Sequence, residues 1–548
     1  MTSSPPSKPQ GFRLRHAGLA IAGMMARLTR VTGWRRSVIA FGFGAFTATA
    51  LAPYYIWPAL VLGLSALVLL IDSTKTAQRP KWSAFLTGWA FGFGYFLVGM
   101  YWLGFAFLVQ ADQFAWMIPI AVPAFTAFLG LFIGGATLLA SFFWRGHFAR
   151  ILAFAAAWAV FEFARGHVLT GLPWNLVGQS FAGTAILAQL AAWVGPYGLS
   201  LVVVLLSALP AAIVKDGRFT ALPLFLSLLG FSVLLAFGAV RLGGSAPLPR
   251  EDARVVIVQP NVPQRDKLDA QLFLDHFYRM VQMTSEAVAM AKAEAGAKET
   301  YVIWPENAYP YLANNEDIPA FLGEVLPTQT TLVTGTIRTI EQEGGPRLFA
   351  NSVAVFAKNR GETTMPLQTL YDKHHLVPFG EYLPLKGLLQ ALGLSQLAPV
   401  QDGFTPGPGP QTLNVGPAPF APLICYEDVF PLALYPKAGR PDWLVLVTND
   451  GWFGDNAGPK QHLDIARLRA IESGLPIARA ANTGISAMIG PKGRLQDHLP
   501  LYTSGAITLE LLAPLPRTPY DRFSHHSFML LLLLVAIFPV TKKVARSG

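Results

Sequence analysis

The sequence predicts a polytopic α-helical membrane bundle of about eight transmembrane helices carrying one extramembrane α/β domain. Three observations predict it. Of 548 residues, 52% are hydrophobic and 14% charged, whereas an ordinary soluble domain carries about 25% charged. Apolar stretches long enough to cross a bilayer recur through the first part of the chain and once more at its end. Between them lies a long segment of charged helix-like runs and short β-branched strands.

Residues 1–36 hold a short apolar piece, 18–26, flanked by Arg13, Arg15, Arg27, Arg30, Arg35 and Arg36. It has no clear small-residue cleavage site and returns to basic residues, so it reads as a cytoplasmic tail rather than a signal peptide. Residues 37–240 form the bundle of seven helices, beginning near Val38, Ile56, Ser83, Trp116, Ile151, Ile186 and Ala221. An eighth begins near Ser527, inside 526–548, and ends in Lys542, Lys543 and Arg546. With the tail inside, the inner connections carry Lys75, Arg79 and Lys81, then Arg145 and Arg150, then Lys215 and Arg218. The outer connection near Asp112 carries no Lys or Arg. The positive-inside rule therefore puts residues 241–525 outside, on the periplasmic side if the host has two membranes. Gly42, Gly44, Gly92 and Gly94 read as helix-packing glycines.

A net charge of +10 does not imply nucleic acid, because the basic residues near the spans serve as topology signals and no basic stripe with interleaved aromatics accompanies them. The single cysteine cannot form an intrachain disulfide.

In the outer segment, strands are expected at 254–258, 301–303, 332–334, 421–424 and 444–447, with helices over 268–295 and 461–473, the latter closed by Gly474. Residues 403–419, rich in Gly and Pro, read as loop. Three strand ends carry reactive side chains. YVIWPEN places Glu306, TLYDKHHLVPFGEYLP places Lys373 and Glu381, and APLICYEDVF places Cys425. In open α/β sheets reactive groups collect beyond the carboxyl ends of strands. An ionised cysteine is a strong nucleophile, a carboxylate can take its proton, and a lysine can stabilise an oxyanion, so these three suffice for acyl transfer. On residue types alone, a core cysteine with solvated Glu and Lys is the commoner arrangement.

The wording around them adds to this. WPE, KxHLVPFGE and ICYE, in that order, resemble the nitrilase superfamily, whose fold is an αββα sandwich and whose triad is Glu, Lys and Cys. A bundle before such a domain and one helix after it resembles the apolipoprotein N-acyltransferase family. LTGLPWN at 169–175, VQPNVPQ at 258–264, TNDGWFG at 448–454, QHLDIARLRAIE from Gln461 and ANTGISAMIGPKG from Ala481 extend the resemblance over nearly the whole chain.

The resemblance implies Glu306 as general base, Lys373 as oxyanion-stabilising residue and Cys425 as nucleophile. It implies auxiliary or substrate-binding roles for Glu381, Tyr426, Glu427 and Trp174, the last lining a lipid path. It also implies a phospholipid acyl donor, phosphatidylethanolamine, and diacylglyceryl apolipoproteins as acceptors, with no cofactor and no metal. The family can carry a tryptophan a few residues after VPQ, where this chain has Lys267 and Leu268.

Other features read as structural or auxiliary. Adjacent His374 and His375 cannot both face one metal from a strand. Glu162 and Arg165, three apart near the outer end of the fifth span, suit an intrahelical ion pair or a headgroup contact equally. Trp174 beside Pro173 also reads as an interfacial anchor. The cluster Leu388, Leu389, Leu392, Leu394 and Leu397 suits a lid dipping into the outer leaflet. Two other functions fit less well. A membrane-tethered amidase would resolve its thioester with water, and a transporter or receptor should carry ionisable residues in mid-span, which are nearly absent.

Overall fold

A helix forms at each of the eight apolar stretches, because a chain in hydrocarbon must satisfy its backbone polar groups within the segment. These are α1 (Gly33–Ala48), α2 (Pro58–Asp72), α3 (Pro80–Gly99), α4 (Ile118–Phe142), α5 (Ala149–Arg165), α6 (Ala191–Ala208), α7 (Leu222–Gly243) and the C-terminal helix His526–Val544. The computed structural model describes residues 23–544 apart from 216–217, 269, 296–297, 310–313, 316, 343–344, 346 and 385–402.

Among the described residues, four stretches are long and apolar enough to cross a membrane: Pro58–Thr76, Ala111–Phe142, Leu187–Ala212 and Leu222–Gly243. A fifth counts if Pro80–Gly99 and Tyr101–Leu108, bent by 59°, are one span. The expected eight therefore exceeds what length supports; α1 has 16 residues and α5 has 17.

Glycine sets the close packing of α3 between α1 and α4. A Cβ on Gly44 would overlap the Phe91 carbonyl, one on Gly94 that of Phe41, and one on Gly92 would press on Gly130 and Ile133. Gly42 faces open space.

At the end of α5 the structure corrects two expectations. Glu162 and Arg165 are each 2% exposed, so neither reaches a headgroup, and they do not form a direct ion pair. Glu162 accepts from the backbone N–H of Val177 at 3.0 Å, while Arg165 donates to the carbonyls of Leu172 and Trp174 at 2.5 and 2.7 Å. The chain after α5 folds back over the bundle in irregular conformation, and its polar backbone needs these partners. Trp174 is also buried, at 3% exposure, rather than anchored at an interface.

The domain between α7 and the C-terminal helix is built from two sheets face to face. One has the order β11-β1-β2-β3-β4-β5, from β1 (Pro249–Gln259), β2 (Glu299–Trp304), β3 (Thr330–Ile340), β4 (Leu348–Lys358), β5 (Leu367–Asp372) and β11 (Gly505–Leu512). The other has the order β10-β9-β8-β7-β6, from β6 (Phe420–Ile424), β7 (Trp443–Thr448), β8 (Ile477–Ala481), β9 (Ser486–Ile489) and β10 (Leu495–Leu499). β1, β2 and β3 run parallel, as do β6, β7 and β8; the outer strands are antiparallel.

Alternation sorts the side chains. Val255, Ile257, Tyr301 and Ile303 meet Ile424, Val445 and Val447 between the sheets. Val256, Val258 and Val302 face α8 (Phe273–Ala295) and α9 (Ile318–Val325), and Leu423, Leu444 and Leu446 face α10 (Ala457–Ser473). The layers are helix, sheet, sheet, helix, the αββα sandwich expected.

α10 is buried along nearly its whole length, because its second face meets the bundle. Gln461 clamps the contact. Its Oε1 accepts the indole N–H of Trp102 at 3.1 Å and of Trp174 at 2.9 Å, and its Nε2 donates to the carbonyls of Ala52 and Gly99 at 3.3 and 3.1 Å. Tyr55 donates to Asp464 at 2.8 Å, and Arg467 donates to the Gly183 carbonyl at 2.7 Å. Each buried donor left unpaired costs about 1–3 kcal/mol. Gln461→Ala strands the Trp174 indole, while that of Trp102 keeps the Gly99 carbonyl at 3.1 Å, so its melting temperature in detergent should fall by a few degrees; an unchanged value would mean that the clamp contributes no stability.

Candidate active site

Three strand ends of the two facing sheets converge. Glu306 follows β2 in a turn that leaves the strand through Pro305. The turn lies directly over Gly335 of β3, where a Cβ would press on the Glu306 Cα. Gly335 donates to the Pro305 carbonyl at 3.2 Å and accepts from Ala308 at 3.0 Å. Lys373 follows β5, its backbone N–H held by the Asn351 carbonyl at 2.8 Å. Cys425 follows β6, and its φ of +50°, a left-handed conformation costly for a residue with a Cβ, breaks the strand and starts the short helical turn Cys425–Val429.

The structure brings Glu306, Lys373 and Glu381 into contact. Lys373 Nζ lies 2.9 Å from Glu381 Oε1 and 3.9 Å from Glu306 Oε1. Asn351 Nδ2, from β4, donates to both carboxylates at 2.8 Å each, and the Val377 N–H donates to the other Glu381 oxygen at 2.8 Å. Glu306 and Lys373 are 6% and 1% exposed, so their charges act in a low dielectric. Cys425 is partly buried.

Burial raises Glu306 above the usual carboxylate range, with Lys373 opposing and Glu381 reinforcing. Burial acts to lower Lys373, but the Glu381 and Glu306 carboxylates hold it above its ordinary value. Burial pushes the Cys425 thiol well up; Glu306 adds to this, while Lys373 and a hydrogen bond with the Thr448 hydroxyl oppose it. The Glu306 carboxyl and the Cys425 thiol thus both lie above their ordinary ranges, beside a lysinium that opposes the shift in each.

Glu427 lies behind this group, 1% exposed. It accepts from Tyr371 at 2.9 Å, from the backbone N–H groups of His374 and Ile424 at 2.8 Å each, and faces His374 Nδ1 at 2.7 Å. These bonds and the His374 ring hold it below the carboxylate range despite burial. It ties the end of β5 to the end of β6, the two strands that deliver Lys373 and Cys425. Tyr426 donates its hydroxyl to the Gly171 carbonyl of the membrane part at 3.0 Å. His375 stacks on Phe430 with ring centroids 3.7 Å apart. The structure does not bring Trp174 into this group; it packs on Trp102, Phe453 and His462. The five leucines proposed as a lid lie outside the described residues.

Sequence reasoning missed Asn351, Thr448 and Gly335. Asn351 had a signal: an asparagine inside the apolar strand LFANSVAVF is unusual. Lys267 was seen only as a departure. Its Nζ donates to the carbonyls of Glu306 and Asn307 at 3.2 Å each, bracing the Glu306 turn, and burial lowers it to about 8.

Two family descriptions match the chain in tandem: apolipoprotein N-acyltransferase N-terminal domain over residues 43–209 and carbon-nitrogen hydrolase over 254–515. The apolipoprotein N-acyltransferase of Rhodopseudomonas palustris is 38% identical over 93% of this chain and 96% of its own. The chain belongs to the apolipoprotein N-acyltransferase family. The protein of that name from Bradyrhizobium diazoefficiens is 37% identical over 97% of this chain and 98% of its own. Among solved structures, an amidase of the nitrilase superfamily from Nesterenkonia AN1 aligns at 20% identity and a TM-score of 0.32, over 52% of this chain and 98% of that one. The Gln461 clamp therefore joins the two matched regions: the carbon-nitrogen hydrolase region supplies Gln461, and the N-terminal region supplies Ala52, Gly99, Trp102 and Trp174.

Proposed function

We propose that this family member transfers an acyl chain from a membrane phospholipid, phosphatidylethanolamine, through a thioester on Cys425 to the α-amine of an apolipoprotein's N-terminal diacylglyceryl cysteine. The observation that carries the reading is the contact of buried Lys373 with Glu306 and Glu381, with the charges of Glu306 and Lys373 acting on the strand-end Cys425. Family membership supports lipoprotein N-acylation as the reaction class.

Glu306 takes the thiol proton as sulfur attacks the ester carbonyl. Lys373, held by Glu381, faces the developing oxyanion, and the backbone N–H of Tyr426 adds a second donor. The tetrahedral intermediate collapses, the C–O bond breaks, and the lysophospholipid leaves with the proton from Glu306. The acceptor amine then attacks the thioester, Glu306 receives the amine proton, and the thiolate is released. Glu427, Asn351 and Glu381 position the reacting groups. Withdrawing a lipid into water forfeits about 0.8 kcal/mol per CH₂, so a catalytic domain clamped onto a membrane bundle suits two lipid substrates.

The same reading puts 1–36 in the cytoplasm, about eight spans across a bacterial inner membrane, with seven in 37–240 and one in 526–548, and the catalytic domain 241–525 in the periplasm. The basic inner loops support it. Single cysteines at Asp317 and Lys75, both exposed, in a Cys425→Ala background test it. An impermeant thiol reagent applied from outside should label Asp317→Cys and not Lys75→Cys; the reverse pattern inverts the topology.

The chemistry is tested by mass spectrometry of the purified protein mixed with phosphatidylethanolamine. An acyl adduct on the peptide containing Cys425, sensitive to neutral hydroxylamine and discharged by a diacylglyceryl peptide with a free amine, is expected. Discharge by water at the same rate would make the protein a hydrolase.

A further inference from the structure

Behind the nucleophile turn lies a second group of charges that the proposed reaction does not consume. His462, on α10, stands between two carboxylates: Nε2 is 2.9 Å from Asp428 Oδ1 and Nδ1 is 2.8 Å from Asp450 Oδ1. The other oxygen of Asp450 meets Arg479 Nη2 at 2.6 Å. None of the four side chains is more than 1% exposed, and Trp174 and Phe453 pack against the imidazole with ring centroids at 5.5 and 6.2 Å.

A carboxylate can only accept, so carboxylates on both ring nitrogens require both to carry protons. His462 is thus an imidazolium, and its two partners keep it protonated to about 9 although burial works against the charge. Two carboxylates are then matched by one imidazolium and one guanidinium. Without its proton, His462 would leave a net negative charge in a buried site. That site touches the nucleophile from two sides. Asp428 belongs to the turn Cys425–Val429. Asp450 follows β7, accepts from the Thr448 hydroxyl at 3.3 Å, and is among the charges that act on the Cys425 thiol, together with Glu306 and Lys373.

We infer that His462 is a charged positioning residue for acyl transfer, tying the nucleophile turn to the end of β7 through Asp428 and Asp450 and cancelling charge that would oppose a thiolate at Cys425. The inference rests on Cys425 being the nucleophile. It also gives Trp174 a function distinct from a lipid path: the membrane part seals the imidazolium from water.

The chain's single cysteine makes the test direct. The rate at which iodoacetamide alkylates the full-length protein in nanodiscs, measured across pH, reports the apparent pKa of Cys425. His462→Gln retains a donor and an acceptor but removes the charge, so that pKa should rise by about one unit, with slower acyl-enzyme formation at neutral pH. Asp450→Asn removes a negative charge and should move it down. A purely structural role would move both variants in one direction or neither. An unshifted thiol in folded His462→Gln, or an upward shift in Asp450→Asn, overturns the inference. If His462→Gln does not fold, Asp450→Asn decides alone: a downward shift supports the inference, and any other result overturns it. Retained acyl transfer after complete alkylation of Cys425 would instead refute the nucleophile reading itself.

Discussion

Cys425→Ser is expected to leave a folded membrane protein with acyl transfer reduced by about 10⁴-fold or more. The substitution keeps the size of the side chain and a polar hydrogen, so the left-handed turn at φ +50° and its bonds through Glu427 remain. What changes is the nucleophile. A free thiol ionises near about 8.5, and here burial and Glu306 push it higher, so even the thiol depends on Glu306 as base. An alcohol is far harder to ionise, and the same base cannot deliver it. The measurement is transfer from phosphatidylethanolamine to a diacylglyceryl peptide, with size-exclusion behaviour as the folding control. Normal transfer by Cys425→Ser would sink the thioester mechanism.

The second large effect concerns the pair that flanks the sulfur. Glu306→Gln keeps an oxygen for Asn351 but cannot receive a proton, so single-turnover formation of the acyl enzyme should slow by about 10²–10⁴-fold. Lys373→Ala should cost about 10²–10³-fold, the usual worth of one oxyanion donor, and it also leaves Glu381 and Glu306 as adjacent buried carboxylates without their cation. Both losses should appear in the acylation step, before any acceptor is added. If either variant acylates at a near-normal rate, that residue has no part in the chemistry.

Much of this arrangement was legible in the sequence, for identifiable reasons. Continuous β-branched and apolar runs within 254–258 and 444–447, with no polar alternation, mark strands buried on both faces, and runs of the same kind at 301–303 and 421–424 put Glu306 and Cys425 just beyond strand ends. α10 was harder, because a helix enclosed by a sheet and a membrane bundle has no polar stripe to betray its start; Asn456, whose side chain accepts from the Gly458 N–H, caps a helix that begins at Ala457, four residues before the expected Gln461. Glu162 and Arg165 were misread because helical spacing suggests a mutual pair, whereas an irregular chain crossing nearby offered each a backbone partner. Asn351 joins Glu306 to Glu381 across strands distant in sequence, and no local pattern encodes that contact. Trp174 was placed at a membrane surface by its residue type; its burial depends on Gln461, 287 positions later.

That last separation bears on how the protein is made. The carbonyls and indoles clamped by Gln461 lie at or beyond the ends of α1, α3 and α5, yet their partner is synthesised near the end of the chain and, under the proposed topology, has to be exported before it can reach them. The groups that Gln461 pairs therefore stay incompletely paired through most of translation, and the clamp closes only when the C-terminal sandwich domain has folded. A ribosome stalled after the bundle would release a membrane protein whose Trp174 indole lacks its partner, the kind of defect that quality-control proteases recognise. The clamp is thus among the last contacts between bundle and sandwich to form.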